Sequence, residues 1–158
     1  MKKKIIAALF AVVLILSVIV PGTVIFAEEA DLSVHYSRLN DMEGLLDDAA
    51  AQRVSARLDE VRRELDFDIV IVTGSDLGGK TMEEYADDFY DYNGYGYGSE
   101  RDGVLLLISM EDRSWWISTC GEGKYSLSKS KCDSIGEDII EYLAEGDYEN
   151  AFIEFADR

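Results

Sequence analysis

The chain has 158 residues, with 32 acidic and 15 basic side chains, a formal charge of −17, one histidine, two cysteines and one proline. A charge of this sign repels nucleic-acid phosphates and anionic lipid head groups and attracts divalent cations or basic partners, although solubility alone also accounts for it. One histidine cannot build a zinc site that needs two or three, and a Ser-His-Asp triad would rest on His35 alone.

The N-terminus has the layout of a secretory leader. Lys2, Lys3 and Lys4 precede an apolar run from Ile5 to Val20 in which Ser17 is the single polar residue. Pro21-Gly22 break the run, and Ala27 stands before Glu28-Glu29, a small residue at a cleavage edge. The run is shorter than the roughly 20 residues a membrane-spanning helix needs. A signal peptide over residues 1–27 is therefore expected, with an uncleaved anchor as the alternative. Either way the folded part, Glu28–Arg158, lies outside the cytoplasm. Removing residues 1–27 takes away three lysines and no acid, so −17 becomes −20 over 131 residues. That length suits one domain. His35, just after the leader, is expected to be an exposed or edge residue.

Asp47 and Asp48 open a helix running to about Leu65, with Val54, Leu58, Val61 and Leu65 on its inner face. Asp68–Thr73 is a continuous β-branched run after its first residue, the mark of a strand buried on both faces. Residues 74–79 form a loop. Thr81 and Glu84 make a capping box for a helix that buries Met82, Tyr85, Ala86 and Phe89. Gly94, Gly96 and Gly98 end it. These glycines follow a helix and precede a strand, so they are a connector and not a phosphate cradle, which would follow a strand and open a helix.

Val104–Ser109 reads as a second strand, residues 110–113 as a turn, and Trp115–Thr119 as an antiparallel third strand. Adjacent Trp115 and Trp116 must then point to opposite faces. Ser130 with Asp133 is expected to cap a helix lined inside by Cys132, Ile135, Ile139 and Leu143. Gly146 stops it, and Asp147 starts a last helix with Tyr148, Phe152 and Phe155 inward. The order is α-β-α-β-β-α-α. The strand–helix–strand step implies a parallel pair, with helices covering the sheet.

A hairpin of the second and third strands would bring Asp102-Gly103 and Thr119–Gly123 to one edge. Glu100, Asp102 and Glu122 would then meet beside Gly103 and Gly121, which let backbone carbonyls approach. Hard oxygen ligands of this kind suit Ca²⁺, or Mg²⁺. The spacing is not that of an EF-hand, and ordinary turn chemistry also favours Asp and Gly here. Ser75, Asp76, Glu111 and Asp112 cluster at the opposite edge. Cys120 and Cys132 form an even pair, which outside the cytoplasm permits a disulfide between a strand end and a helix start; spacing leaves open whether they meet.

The order and spacing of several segments resemble the TPM domain family, which includes lumenal repair and acid phosphatase-like proteins of photosynthetic membranes. The segments are Asn40–Leu46, the Asp68–Thr73 strand, Thr81–Ala86, Arg101–Ile108, Asp112-Arg113, Ile117–Gly121 and Gly146–Phe152. The resemblance covers nearly all of the chain after the leader. It implies a three-layer α/β/α sandwich with a small mixed sheet, placement outside the cytoplasm, and Ca²⁺ binding or weak acid phosphatase activity in some members. Others serve as accessory factors of membrane protein complexes. Asp41 matches the family's aspartate before the first helix and joins Glu100, Asp102 and Glu122 as a metal-ligand candidate by resemblance only. Gly103, Thr119 and Gly121 match family positions, with Cys120 standing between the last two as a departure. Bacterial relatives often continue into a linker, a membrane helix and a Gly-rich tail.

These observations favour a cation-binding accessory domain acting on a membrane or cell-envelope protein. The alternative is a weak metal-assisted acid phosphatase, and a third reading is a spacer. A phosphatase needs positive charge on the phosphoryl oxygens, which an acidic cluster lacks without a metal.

Overall fold

The structure is a computed structural model, and it describes residues 37–158. The leader and His35 fall outside the described residues. The elements are β1 (Leu39–Asp41), α1 (Asp48–Leu65), β2 (Asp68–Gly74), α2 (Met82–Tyr92), β3 (Gly103–Ser109), β4 (Ser114–Cys120), a one-turn α3 (Gly123–Ser126), α4 (Lys129–Glu145) and α5 (Tyr148–Asp157). The sheet order is β1-β2-β3-β4; β1, β2 and β3 are parallel and β4 is antiparallel to β3.

The buried β-branched run of β2 serves two cores at once. Ile69 and Ile71, with Val104, Leu106 and Ile108 of β3, face α1, α4 and α5. Val70 and Val72, with Leu105 and Leu107, face α2. Because side chains alternate along a strand, a sheet covered on both faces needs no polar positions, hence the unbroken apolar run. Trp115 joins the first core and Trp116 the second, as their adjacency requires. The expected α/β/α sandwich is thus realised.

The helix ends follow their local chemistry. Asp47 caps α1 by accepting from the Ala50 amide at 2.8 Å, and the Thr81–Glu84 capping box is complete. Gly146 ends α4 in the left-handed conformation (φ 75°). Three details differ from expectation. Ser128, not Ser130, caps α4, because the chain leaves α3 at Ser126 and enters helix at Lys129. Leu65 is 64% exposed, since the last turn of α1 reaches the mouth of an open cavity between α1, α4 and α5. The three-residue strand β1 was not expected; it is too short and polar to carry a period, and only its pairing with Ile71–Thr73 makes it a strand.

Two buried charges lock β1 to the sheet. Arg38, just before β1, is 8% exposed and donates from Nε to Asp68 Oδ1 at 2.5 Å; Asp68 is 2% exposed. Arg38 also donates to Asp59 of α1 at 2.8 Å, and the Gly96 amide donates to Asp68 Oδ2 at 2.9 Å. Arg62 Nε lies 3.4 Å from the same carboxylate. One side chain at the start of β2 thus holds α1, the segment before β1 and the glycine connector.

Asp68→Ala should leave the buried Arg38 guanidinium with Asp59 alone and lower unfolding free energy by up to about 3–5 kcal/mol, read by urea denaturation. Gly136→Ala should cost about 1–3 kcal/mol in the same assay, because a Cβ there runs into the Trp115 ring. The Thr81 amide and hydroxyl hold the Glu84 carboxyl below its ordinary value of 4.5. Its contribution is therefore present above that value and lost as pH falls through the depressed one. An NMR titration of Glu84 should show a midpoint below 4.5, and Glu84→Gln should remove that part of the acid sensitivity.

Candidate functional site

The sheet has two rims that carry the candidate carboxylates. At the first, β2 and β3 begin and β4 ends, with Gly103 in register with both Asp68 and Cys120. Here Asp102 Oδ1 accepts from the Glu122 amide at 2.7 Å, so it caps the turn into α3. Gly121 has φ 54°, and a Cβ on it would meet the Asp102 carboxylate and the Glu100 carbonyl. Glycine is needed there on both counts. Gly103 is packed against the Tyr90 hydroxyl and the Asp68 carbonyl, with no room for a side chain. The Asp102 carboxylate is thus brought to the Glu122 amide and the Glu100 carbonyl lies beside Gly121, contacts of one carboxylate with backbone where the hairpin reading expected three carboxylates to meet. Gly103 and Gly121 serve this packing. Thr119, opposite Val104, lies half-buried on the α1/α4/α5 side of the sheet.

The connector ahead of β3 is clamped from inside. Arg101, at φ 59°, donates to the carbonyls of Tyr95 and Tyr90 and to Asp91, each at 2.9 Å, and stacks over the Tyr90 ring. Tyr97 and Asp102 exchange two backbone hydrogen bonds of 2.9 Å. Burial pushes the Tyr90 phenol well above its ordinary value.

At the second rim β1, β2 and β3 end. Asp41 Oδ1 accepts from the buried Thr73 hydroxyl at 2.7 Å, and its Oδ2 accepts from the Leu46 amide at 2.9 Å. Thr73 Oγ1 accepts in turn from the Glu43 amide. The buried Ser109 hydroxyl donates to Asp112 at 3.0 Å, and Asp76 accepts from the Gly78 amide at 2.8 Å. Ser75 and Glu111 belong to the same two loops.

This placement corrects the ligand set. Asp41 pairs with Thr73, five residues along β2 from Asp68, so it stands about 17 Å from the rim of Asp102 at the usual strand rise. Parallel pairing carries the end of β1 to the opposite side from the hairpin base. Asp41, Glu100, Asp102 and Glu122 therefore do not form one pocket. Among the described residues, no three Asp, Glu, His or Cys side chains are gathered in a group that could hold a metal ion.

The cysteine pair is corrected as well. Both thiols are free. Cys120 packs on the α2 side of the sheet and Cys132 of α4 on the other, so the sheet itself separates them. Burial raises the Cys132 thiol above its ordinary value. Sequence reasoning also missed Arg38, Asp68, Thr73 and Ser109, which are buried polar residues among the described ones. The one available signal was a polar residue at each end of an otherwise apolar strand.

A four-stranded mixed sheet with α2 on one face and α1, α4 and α5 on the other, and with acidic loops at both rims, defines the class. The chain belongs to the TPM domain family, whose model matches residues 39–158. Its sequence is 26% identical over 142 residues to the UPF0603 protein YdjH of Bacillus subtilis (strain 168), covering 90% of this chain and 54% of that protein. The chain thus spans about half the length of this curated relative. Its fold is similar to the solution structure of an N-terminal domain of a P. gingivalis protein, with TM-score 0.65 and 23% identity over 76% of this chain and 77% of that one. It is also similar to the N-terminal domain of the cg2496 protein of Corynebacterium glutamicum (TM-score 0.60, 17% identity, 78% of each chain). A third likeness is to the BA42 protein of Bizionia argentinensis (TM-score 0.62, 13% identity, 73% and 79%).

With both thiols free, dithiothreitol should leave the melting temperature unchanged. Ellman's reagent should titrate two thiols in the unfolded chain, with Cys132 reacting slowly in the native state.

Proposed function

We propose that the chain is an extracytoplasmic TPM domain that works as a binding and accessory module on a membrane or cell-envelope protein. One observation carries this reading. Three rim carboxylates accept hydrogen bonds that position backbone, Asp41 from the Leu46 amide, Asp102 from the Glu122 amide and Asp76 from the Gly78 amide, while Asp112 accepts from the Ser109 hydroxyl. Such side chains fix acidic loops on a rigid sheet, the requirement for recognition. A general acid or base must instead meet a proton in flight. Arg101, the cation nearest to Asp102 in sequence, spends its donors on carbonyls and Asp91. Its charge is used inside the protein and not on a phosphoryl group.

Ca²⁺ or Mg²⁺ fits the hard oxygens of Asp102, Glu122 and Glu100 by ligand type. Among the described residues no three carboxylates already form a cage, so binding would draw the Glu100 and Glu122 side chains toward Asp102. Export follows from the basic start and short apolar run of residues 1–27.

Thermal unfolding of Glu28–Arg158 with Ca²⁺, with Mg²⁺ and with EDTA tests the reading, together with p-nitrophenyl phosphate turnover in the same buffers. Expected are a rise in melting temperature with the cation, a smaller rise in Asp102→Asn, an unchanged rise in Asp41→Asn, and turnover equal to the blank. At a hundredfold excess over Kd the rise corresponds to about 2.7 kcal/mol. Turnover abolished by Asp102→Asn would establish the phosphatase alternative instead. Intact mass of the exported protein should begin at Glu28.

A further inference from the structure

The two edges of the sheet are treated very differently. On one side β1 is only three residues long, a length that leaves little to pair with. On the other side β4 runs for seven residues, Ser-Trp-Trp-Ile-Ser-Thr-Cys, and pairs along one side only, with β3. It carries no charge and no proline, and among the described residues no backbone hydrogen bond outside the sheet is made by residues 114–120. Natural edge strands are normally guarded by lysine, proline or a bulge. A strand of high β-propensity with none of these is built to receive another strand.

The surroundings of β4 give that strand its chemistry. On the α4 side, a cleft of about 440 Å³ opens beside Ser114 and Trp115, lined by Met110, Ile140, Leu143 and Tyr148, with Arg113 also on its wall. Ile140 is 50% exposed there. On the α2 side, the Ser118 hydroxyl donates to Asp87, an exposed carboxylate of an acidic helix. Glu111 and Asp112 lie before the strand and Glu122 after it, against Arg113 and Lys124. Residues 1–36 hold three lysines and three acids, so the whole −17 belongs to the described residues. That charge disfavours a second copy at this edge and favours a basic partner.

We infer that the open edge of β4 takes up an extended, lysine- or arginine-bearing segment of a partner protein by strand addition. This deepens the binding-module reading by naming the partner's chemistry. Residues opposite each other on neighbouring strands share a face. The added segment therefore places an apolar residue opposite Trp115, beside the cleft. It places a basic residue opposite Ser118, toward Asp87. The two are an odd number of positions apart. Backbone bonds supply affinity, and the cleft and Asp87 supply selectivity.

The probe is a blocked heptapeptide, Thr-Leu-Thr-Val-Lys-Val-Thr, titrated into the protein and followed by amide NMR. Saturable binding is expected, with shifts centred on residues 114–120. Methylating alternate amide nitrogens in one phase should weaken binding at least about tenfold, and in the other phase should not, since only one row of N–H groups faces β4. This control leaves the protein untouched. Ile140→Asn, at an exposed position, should weaken binding about fivefold. Asp87→Asn should reduce its salt dependence, and a Lys→Glu peptide should not bind. No saturation up to about 10 mM, shifts away from β4, or indifference to both methylation phases would overturn the inference. So would self-association that protects the β4 amides without peptide. A cation-dependent melting rise that persists beside any of these results would leave the binding-module reading standing and remove the strand-addition site alone.

Discussion

The ion pair between Arg38 and Asp68 is the constraint on which the rest of this structure depends. A carboxylate taken out of water costs several kcal/mol unless its oxygens are satisfied, and here both are. Arg38 serves Oδ1 and the Gly96 amide serves Oδ2. Three stretches far apart in sequence are thereby fixed at one point: the lead into β1, the start of β2, and the glycine connector before β3. The same guanidinium reaches Asp59 and so orients α1. Beside this node β1 is held by three residues of pairing, by the Asp41–Thr73 hydrogen bond and by the Tyr95 hydroxyl between Asn40 and Ser37.

The position of β1 in turn decides the character of the second rim. Because β1 is parallel to β2, Asp41 arrives beside Thr73, and the loop that follows folds back through the Leu46 and Glu43 amides. The rim is an organised acidic loop set, not a collection of solvated charges. The first rim is organised by different means. There the close approach of Gly121 to Asp102, and of Gly103 to Tyr90, lets the β4 end pack on the β3 start. Each rim displays carboxylates already committed to shaping a loop.

Much of the fold was legible because its signals are local. The Thr81–Glu84 box, the Gly146 stop, the Asp47 cap and the unbroken apolar run of β2 depend on neighbours within a few residues. The β3–β4 hairpin was legible for the same reason: a short turn fixes which residues lie opposite, here Gly103 and Cys120. Asp41 was misplaced because its partner strand lies 32 residues on and its own strand is three residues long. Spacing left open whether the cysteines meet, and the facing direction of Cys120 in β4 keeps them apart.

By itself the sequence determined the leader pattern, the element types, the two-faced burial of β2 and β3 and the acidic character of the loops. These follow from period, capping chemistry and composition, which act over a few residues. Only the tertiary structure decided that Arg38 and Asp68 would be buried together, that the carboxylates would divide between two rims, and that β4 would pair among the described residues with β3 alone. Those outcomes depend on strand order and direction, which arise from long-range packing that no local pattern encodes.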